Sequence, residues 1–287
     1  GLDGKPNFEG RWHLHVAESL TALGERLGLP VAGVAGRLES GRGKLLAARA
    51  TRERPARDGK VLTGWNGLVI GGLARAAAAL GAPGYTEAAI DAVTYLRETH
   101  WRDGHLLATS VDGRAGLNAY LDDHAFLLAG LLELVQVHWH ADIAGFAVML
   151  ADALLERFEA DDGGFWFTAH DHEPLVQRTR TFGDDALPAG NGVAARALGR
   201  LGHLLGERRY LAAAERTLKA GQEPMTGFPS AHNAMLGALE DYLYPPETVI
   251  LRGEPAAMAP WAARARQHYA ARRLVLAIAA DEAAEHL

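Results

Sequence analysis

Acidic and amide side chains gather at a few short motifs of this chain: PARDGK from Pro55, WNG from Trp65, LDDH from Leu121, FGDDALP from Phe182 and GNG from Gly190. Two carboxyl groups in unequal environments, one holding its proton and one ionised, can carry general acid–base chemistry. Asp123 with Asp184 is the pair expected to do so, with Asp58 as a third catalytic candidate. Trp65, Tyr120 and Trp166 lie close to these groups in sequence, and a flat ring beside carboxylates suits a sugar. The expected substrate-binding residues are Trp65, Asn66, Asp122, His124, Trp166 and Asn191. Helix capping is the competing explanation, because Asp and Asn are favoured N-caps contributing about 1 kcal/mol each. A cap needs one acceptor, however. It needs neither two adjacent carboxylates before a histidine nor a glycine on each side of Asn191. Trp65 also falls on an apolar stripe, which makes it a core candidate.

Other chemistries find less support. The chain has no cysteine, which excludes disulfides, thiolate zinc sites and thiol catalysis within it. His13/His15, His138/His140 and His170/His172 are H-x-H pairs, a spacing that puts both rings on one face of a strand. Solvated loop or helix-end histidines are the expected explanation, and neither a metal nor a cofactor is expected. GRLESGRGKL from Gly36 fails as a phosphate loop, since no Ser or Thr follows Lys44. No G-x-S-x-G element is present.

The motifs must be positioned by helices. Apolar residues at Trp65, Leu68, Val69, Gly72, Leu73, Ala76, Ala77 and Leu80 predict a helix from about Gly64 to Leu80. Leu121, Ala125, Leu128, Leu131, Leu132, Val135 and Trp139 predict a second, and Val193, Ala197, Leu198, Leu201, Leu204 and Leu205 a third. Each is followed by a partner helix, around Thr86 to Thr99, Asp142 to Phe158 and Arg209 to Ala220. This is an internal repeat of helical hairpins. Further helices are expected near Leu14 to Leu27, Val34 to Ala50 and Ala231 to Leu243, making about five hairpins in all. The segments from Gly104 and Gly163 alternate β-formers with turn residues and predict short hairpin strands. Past Pro245 and Pro246, TVIL, a helix from about Ala256 to Ala271 and RLVLAIA predict a β-α-β tail.

Successive first helices start about 56 and then 70 residues apart, whereas solenoid repeats keep a period of roughly 33 to 47. A mainly α toroid with a decorated mouth is therefore expected, over residues 1–244, with a small α/β appendage over 245–287. First helices of such hairpins begin at one end, so the motif residues become neighbours. The 287 residues include 29 Lys and Arg against 35 Asp and Glu, a net charge of −6 without like-charge runs, so neither nucleic acid nor an anionic membrane is an expected partner. No apolar stretch reaches the roughly 18 residues of a membrane span. A start at Gly1 without a leader reads as a fragment, with the cytoplasm as the expected compartment.

Taken together, NFEGRWHLH from Asn7, RERPARDGKVLTGWNGLVI from Arg52, AYLDDHAFLLAGLLEL from Ala119, GGFWFT from Gly163 and DDALPAGNGVAA from Asp184 resemble, in order, the thioredoxin-domain-containing proteins of the spermatogenesis-associated type. The resemblance implies a large helical ring similar to six-hairpin glycosidases and N-acylglucosamine 2-epimerases, joined to an upstream thioredoxin-like domain. Three positions depart from the family pattern. Its DDK reads Asp58-Gly59-Lys60 here, its tyrosine is His124, and its PSGNS reads Pro188-Ala189-Gly190-Asn191-Gly192.

Two functions of different class fit these residues. One is a carbohydrate-active module, epimerase-like or glycoside hydrolase-like, taking a small sugar or sugar derivative. The other is a non-catalytic helical scaffold that docks the thioredoxin-like domain or another protein.

Overall fold

The computed structural model describes residues 4–268 and 270–283. Two compact units divide after Asp58. In the first, α1 (Leu20–Leu27) packs on α2 (Val31–Ala50). Helix α1 begins six residues later than its apolar pattern predicts, because Ser19 caps it: Oγ accepts the Ala22 N–H.

The second unit carries the repeat. Helices α3 (Thr63–Leu80) and α4 (Pro83–His100), α5 (Leu121–Val137) and α6 (Ala141–Arg157), and α7 (Gly190–Leu205) and α8 (Arg208–Ala220) form three hairpins. The short α9 (Gln222–Gly227) leads to α10 (Asn233–Leu243). Each first helix packs on the next, α3 on α5, α5 on α7 and α7 on α10, and each second helix backs its own first. This is the expected α/α-toroid arrangement. After α10 the chain enters the predicted β-α-β tail instead of a further helical hairpin.

The apolar pattern explains α5: Leu121, Ala125, Leu128, Leu131, Leu132 and Val135 are buried as predicted, and so are Phe126, Leu127 and Leu134, because α5 has neighbours on several sides. Helix α3 follows its pattern only in part. Ala77 is buried and Leu68 and Leu73 pack partly buried against the core as predicted, but the rest of the buried face is Gly64, Gly67, Ile70, Gly71 and Ala74, while Trp65, Val69 and Leu80 face outward. Glycine decides this. A Cβ on Gly67 would stand 2.5 Å from the Leu127 nitrogen, and one on Gly130 would overlap the Gly67 carbonyl, so the α3 and α5 backbones touch where larger side chains could not fit.

Strands β3 (His105–Val111) and β4 (Arg114–Asn118) form the predicted hairpin around Asp112-Gly113, with β1 (Val61–Leu62) and β2 (Trp101–Arg102) pairing to β3. The insert from Gly163 does not form the expected strands. Gly163 and Gly164 both have positive φ, and successive residues turn to different partners, Trp166 to the Phe158 carbonyl and Phe167 to that of Thr179. The tail is the predicted unit: β5 (Glu247–Gly253) and β6 (Arg273–Ala279) are parallel, joined by α11 (Pro255–Arg266). It is anchored on the hairpins. Arg266 donates to the Gln136 carbonyl at the end of α5, and Arg200 of α7 donates to the Ala271 carbonyl at 2.7 Å.

Candidate functional site

Four contacts bring the beginnings of the first helices together. The Gly64 N–H of α3 donates to Asp123 Oδ1 of α5 at 2.8 Å. Gly190 of α7 leaves room for the Asp122 side chain, which a Cβ there would overlap. Gly192 abuts Ala234 of α10. Asp184, in the segment entering α7, accepts the Ala234 N–H through Oδ2 at 3.0 Å. Orphan N–H groups and the positive dipole ends of four helices therefore meet the DD and GDD carboxylates.

The carboxylates differ in what they hold. Asp123 Oδ1 serves Gly64, and Oδ2 accepts the Tyr120 N–H at 2.9 Å, so one side chain clamps two helix starts. Burial pushes its carboxyl up to about 6, against the pull of those two backbone donors. Asp184 accepts Ala189 N–H at 2.9 Å through Oδ1 and Ala234 N–H through Oδ2, clamping α7 to α10. Asp122 is half-buried and, among the described residues, has no hydrogen-bond partner. Burial pushes it up to about 6, with repulsion from Asp123 adding to the shift. Asp185 is exposed, and its N–H donates to the Leu187 carbonyl at 3.0 Å.

The amide and aromatic candidates separate too. Asn191 is buried with its amide fully engaged: Oδ1 accepts the Phe165 N–H at 2.7 Å, and Nδ2 donates to the Phe165 and Thr181 carbonyls. It pins the Gly163 insert to α7. Asn66 Nδ2 donates back to the Leu62 carbonyl at 2.8 Å. Trp65 is 60% exposed in the first turn of α3, next to the Gly64–Asp123 clamp, and not in the core where its stripe would put it. Trp166 carries the guanidinium groups of Arg178 and Arg180 at 4.9 and 5.1 Å from its ring centre. Tyr120 stacks on Phe167 at 4.8 Å.

His124, expected at the mouth, lies in the core instead. It follows Asp123 by one residue, and the 100° turn between them directs it inward against Phe158, at 4.8 Å between ring centres. Its Nδ1–H donates to the Tyr120 carbonyl at 3.0 Å, and Nε2 is buried without a partner. Burial holds the imidazole down at about 4, neutral at ordinary pH. Asp58 closes the first compact unit, whereas the other candidates belong to the second. Among the described residues no group of three or more His, Asp or Glu side chains converges as a metal ion requires.

A second polar cluster was not legible as a site. Farther along the same helices, Arg200 donates to Asp241 at 2.7 Å and to Glu133 at 3.3 Å, Arg196 also donates to Asp241, and Arg75 to Glu133. Charged residues on otherwise apolar first helices were the available signal. Two cavities lie apart from the carboxylates, one of about 300 Å³ between α7, α8 and α10, the other of about 1150 Å³ between the α3–α4 turn and α11.

No family model matches the chain. It is 30% identical over 263 residues to spermatogenesis-associated protein 20 of Rattus norvegicus, covering 87% of this chain and 33% of that protein. Against the Homo sapiens protein of the same name the identity is 30% over 265 residues, covering 88% and 34%. The chain thus spans about a third of the length of the curated relatives it matches. In structure it is similar to the GH76 α-mannanase BT2949 of Bacteroides thetaiotaomicron, with a TM-score of 0.51 at 13% identity, covering 75% of this chain and 57% of that one. A cellobiose 2-epimerase from Spirochaeta thermophila aligns with a TM-score of 0.48 at 18% identity, covering 59% of this chain and 45% of that one. The mannanase likeness identifies the fold as that of the α/α-toroid glycosidases. No helix of the described residues is long and apolar enough to cross a membrane.

Proposed function

From its likeness in fold to a GH76 α-mannanase and the carboxylates gathered at its helix starts, we propose that this chain is a carbohydrate-active module whose acidic helix-start rim binds a sugar. Asp122 is the group that exchanges a proton with it. One observation carries this reading: Asp122 is the half-buried rim carboxyl with no hydrogen-bond partner among the described residues, while Asp123 and Asp184 each hold two backbone N–H groups. With a pKa near 6, Asp122 carries its proton in about half the molecules at pH 6. Trp65, exposed one residue from the Gly64–Asp123 clamp, offers a ring face for stacking. In this reading Asp123 and Asp184 position the rim, and the sequence-based assignment of acid–base work passes to their neighbour.

Calorimetry and product analysis on the full chain with a panel of mono- and oligosaccharides test it, with epimerised and hydrolysed products separating the two reaction types. Asp122→Asn keeps the fold and removes turnover or the pH dependence of binding. Asp123→Asn lowers stability, because the Gly64 and Tyr120 N–H groups contact different carboxylate oxygens and one of them would face the amide NH2 instead of an acceptor. Sugar binding unchanged in Asp122→Asn would end the assignment. The scaffold reading draws on the same clamps, since rim residues engaged with backbone build a rigid surface. It prevails if no sugar binds and an upstream thioredoxin-like domain does.

A further inference from the structure

We propose that the cavity of about 1150 Å³ between the α3–α4 turn and the tail binds a small organic carboxylate with an apolar body, such as a medium-chain acyl or an aryl acid. The cavity lies at the opposite end of α3 from the helix-start rim and does not depend on the sugar reading. Its walls are mostly small and apolar: α3 contributes Ala74, Ala77 and Ala78, and α11 contributes Ala259, Ala262 and Ala263. Side chains of this size cannot fill the space between tail and hairpins, which larger ones would close. The volume is ample for a small ligand, since such sites occupy roughly 300–1,000 Å³.

The charges lining the cavity decide what such a ligand carries. Glu133 accepts from Arg75 and Arg200, Arg273 pairs with Glu247 at 2.8 Å, and Glu282 Oε1 accepts the Ala141 N–H at 3.2 Å. Arg266 differs. Its Nη2 donates to two neutral acceptors, the Gln136 carbonyl and, at 3.3 Å, that of Val275. Among the described residues no carboxylate lies within 4.0 Å of it, and Nε and Nη1 have no acceptor. The side chain is nevertheless partly buried, and that burial lowers its pKa with no acidic neighbour to offset the effect. A guanidinium withdrawn from water is ordinarily matched by an anion. A carboxylate supplies that match through charge-assisted hydrogen bonds, while its apolar part covers the alanine walls. One unmatched cation suits a monoanion. A dianionic phosphate would carry a second charge toward Glu133 and Glu282, which line the same cavity.

The test is calorimetric binding of octanoate, octanol, octyl phosphate and acetate to the full chain, each below its aggregation threshold. We expect octanoate to bind about tenfold or more tighter than octanol, and acetate not to bind measurably. Arg266→Gln keeps a donor for the Gln136 carbonyl but loses the charge, so it should bring octanoate down to the affinity of octanol and leave octanol unchanged. Ala78→Phe, at an exposed position of α3 on the cavity wall, should weaken octanoate and octanol alike by about threefold or more. It leaves Arg266 in place and so decides the matter even where Arg266→Gln lowers the melting temperature. Octanoate binding no tighter than octanol, octanoate affinity unchanged in either variant, or no binding at all overturns the site. Octyl phosphate binding tighter than octanoate overturns the carboxylate assignment.

Discussion

Replacing Gly67 by alanine tests the packing on which the rim depends. A Cβ at Gly67 would stand 2.5 Å from the Leu127 nitrogen, 2.6 Å from the Phe126 carbonyl carbon and 2.7 Å from the Leu127 Cα. All three are backbone atoms of α5, so relief requires the two helices to part by about 1 Å. Ile70, Phe126 and Leu127, now fully buried, would lose contact. Overpacking of this kind costs about 1–3 kcal/mol, against a gain of about 1 kcal/mol in helix propensity. The expected result is a net loss of up to about 2 kcal/mol, or up to roughly 8 °C in melting temperature for a unit of this size. Gly72→Ala is the matched control on the same helix: nothing lies within 4 Å of its Cβ, so it should stabilise by about 0.5–1 kcal/mol. Urea denaturation of both variants gives the two signs directly. In a double-mutant cycle, Gly130→Ala should cost less in the Gly67→Ala background than alone, because the gap is already open. If Gly67→Ala is as stable as Gly72→Ala, the α3–α5 contact is not the close backbone approach described above.

Three further outcomes follow from the same geometry. His124 is held neutral with a folded pKa of about 4 against an ordinary 6.5, so the unfolded chain takes up its proton first and stability falls as pH drops from about 6.5 to about 4. This is worth about 2 kcal/mol at pH 5 relative to pH 8, and urea midpoints should show His124→Leu overtaking the wild type at pH 5. Asp123 has the opposite sign: its raised pKa makes its contribution largest below about pH 4 and smaller as pH rises through about 6. Subtracting the Asp123→Asn urea midpoints from those of the wild type across that range should recover this slope. Arg200→Met takes from the buried Asp241 and the mostly buried Glu133 their shared partner, leaving each with one other arginine, Arg196 and Arg75, and should cost about 1–3 kcal/mol. It also frees the Ala271 carbonyl, so limited trypsin digestion should cut at Arg272 or Arg273 sooner than in the wild type.

The hairpin repeat and the helix starts were legible in the sequence because their causes are local. Thr63, Leu121 and Gly190 begin helices within two residues of where the motifs placed them, since periodicity and capping act over three or four residues. The buried face of α5 could be read for the same reason: a helix enclosed by neighbours buries whatever is apolar. The face α3 buries was decided only in three dimensions. Its large apolar side chains pointed one way, but how closely the α5 backbone approaches depends on Gly130, more than 60 residues on, and glycine against glycine excluded the larger face. The chemistry divided along the same line. That acidic and amide residues would meet at one end followed from the repeat. Which carboxylate remained unengaged depended on the neighbouring helices, for Asp122, Asp123 and Asp184 are one residue type, and only the backbone N–H groups of α3, the α7 entry and α10 distinguish them. His124 went to the core by a turn of the same helix. A residue's type and spacing determine which bonds it can make, and the tertiary contacts determine which of them are already made.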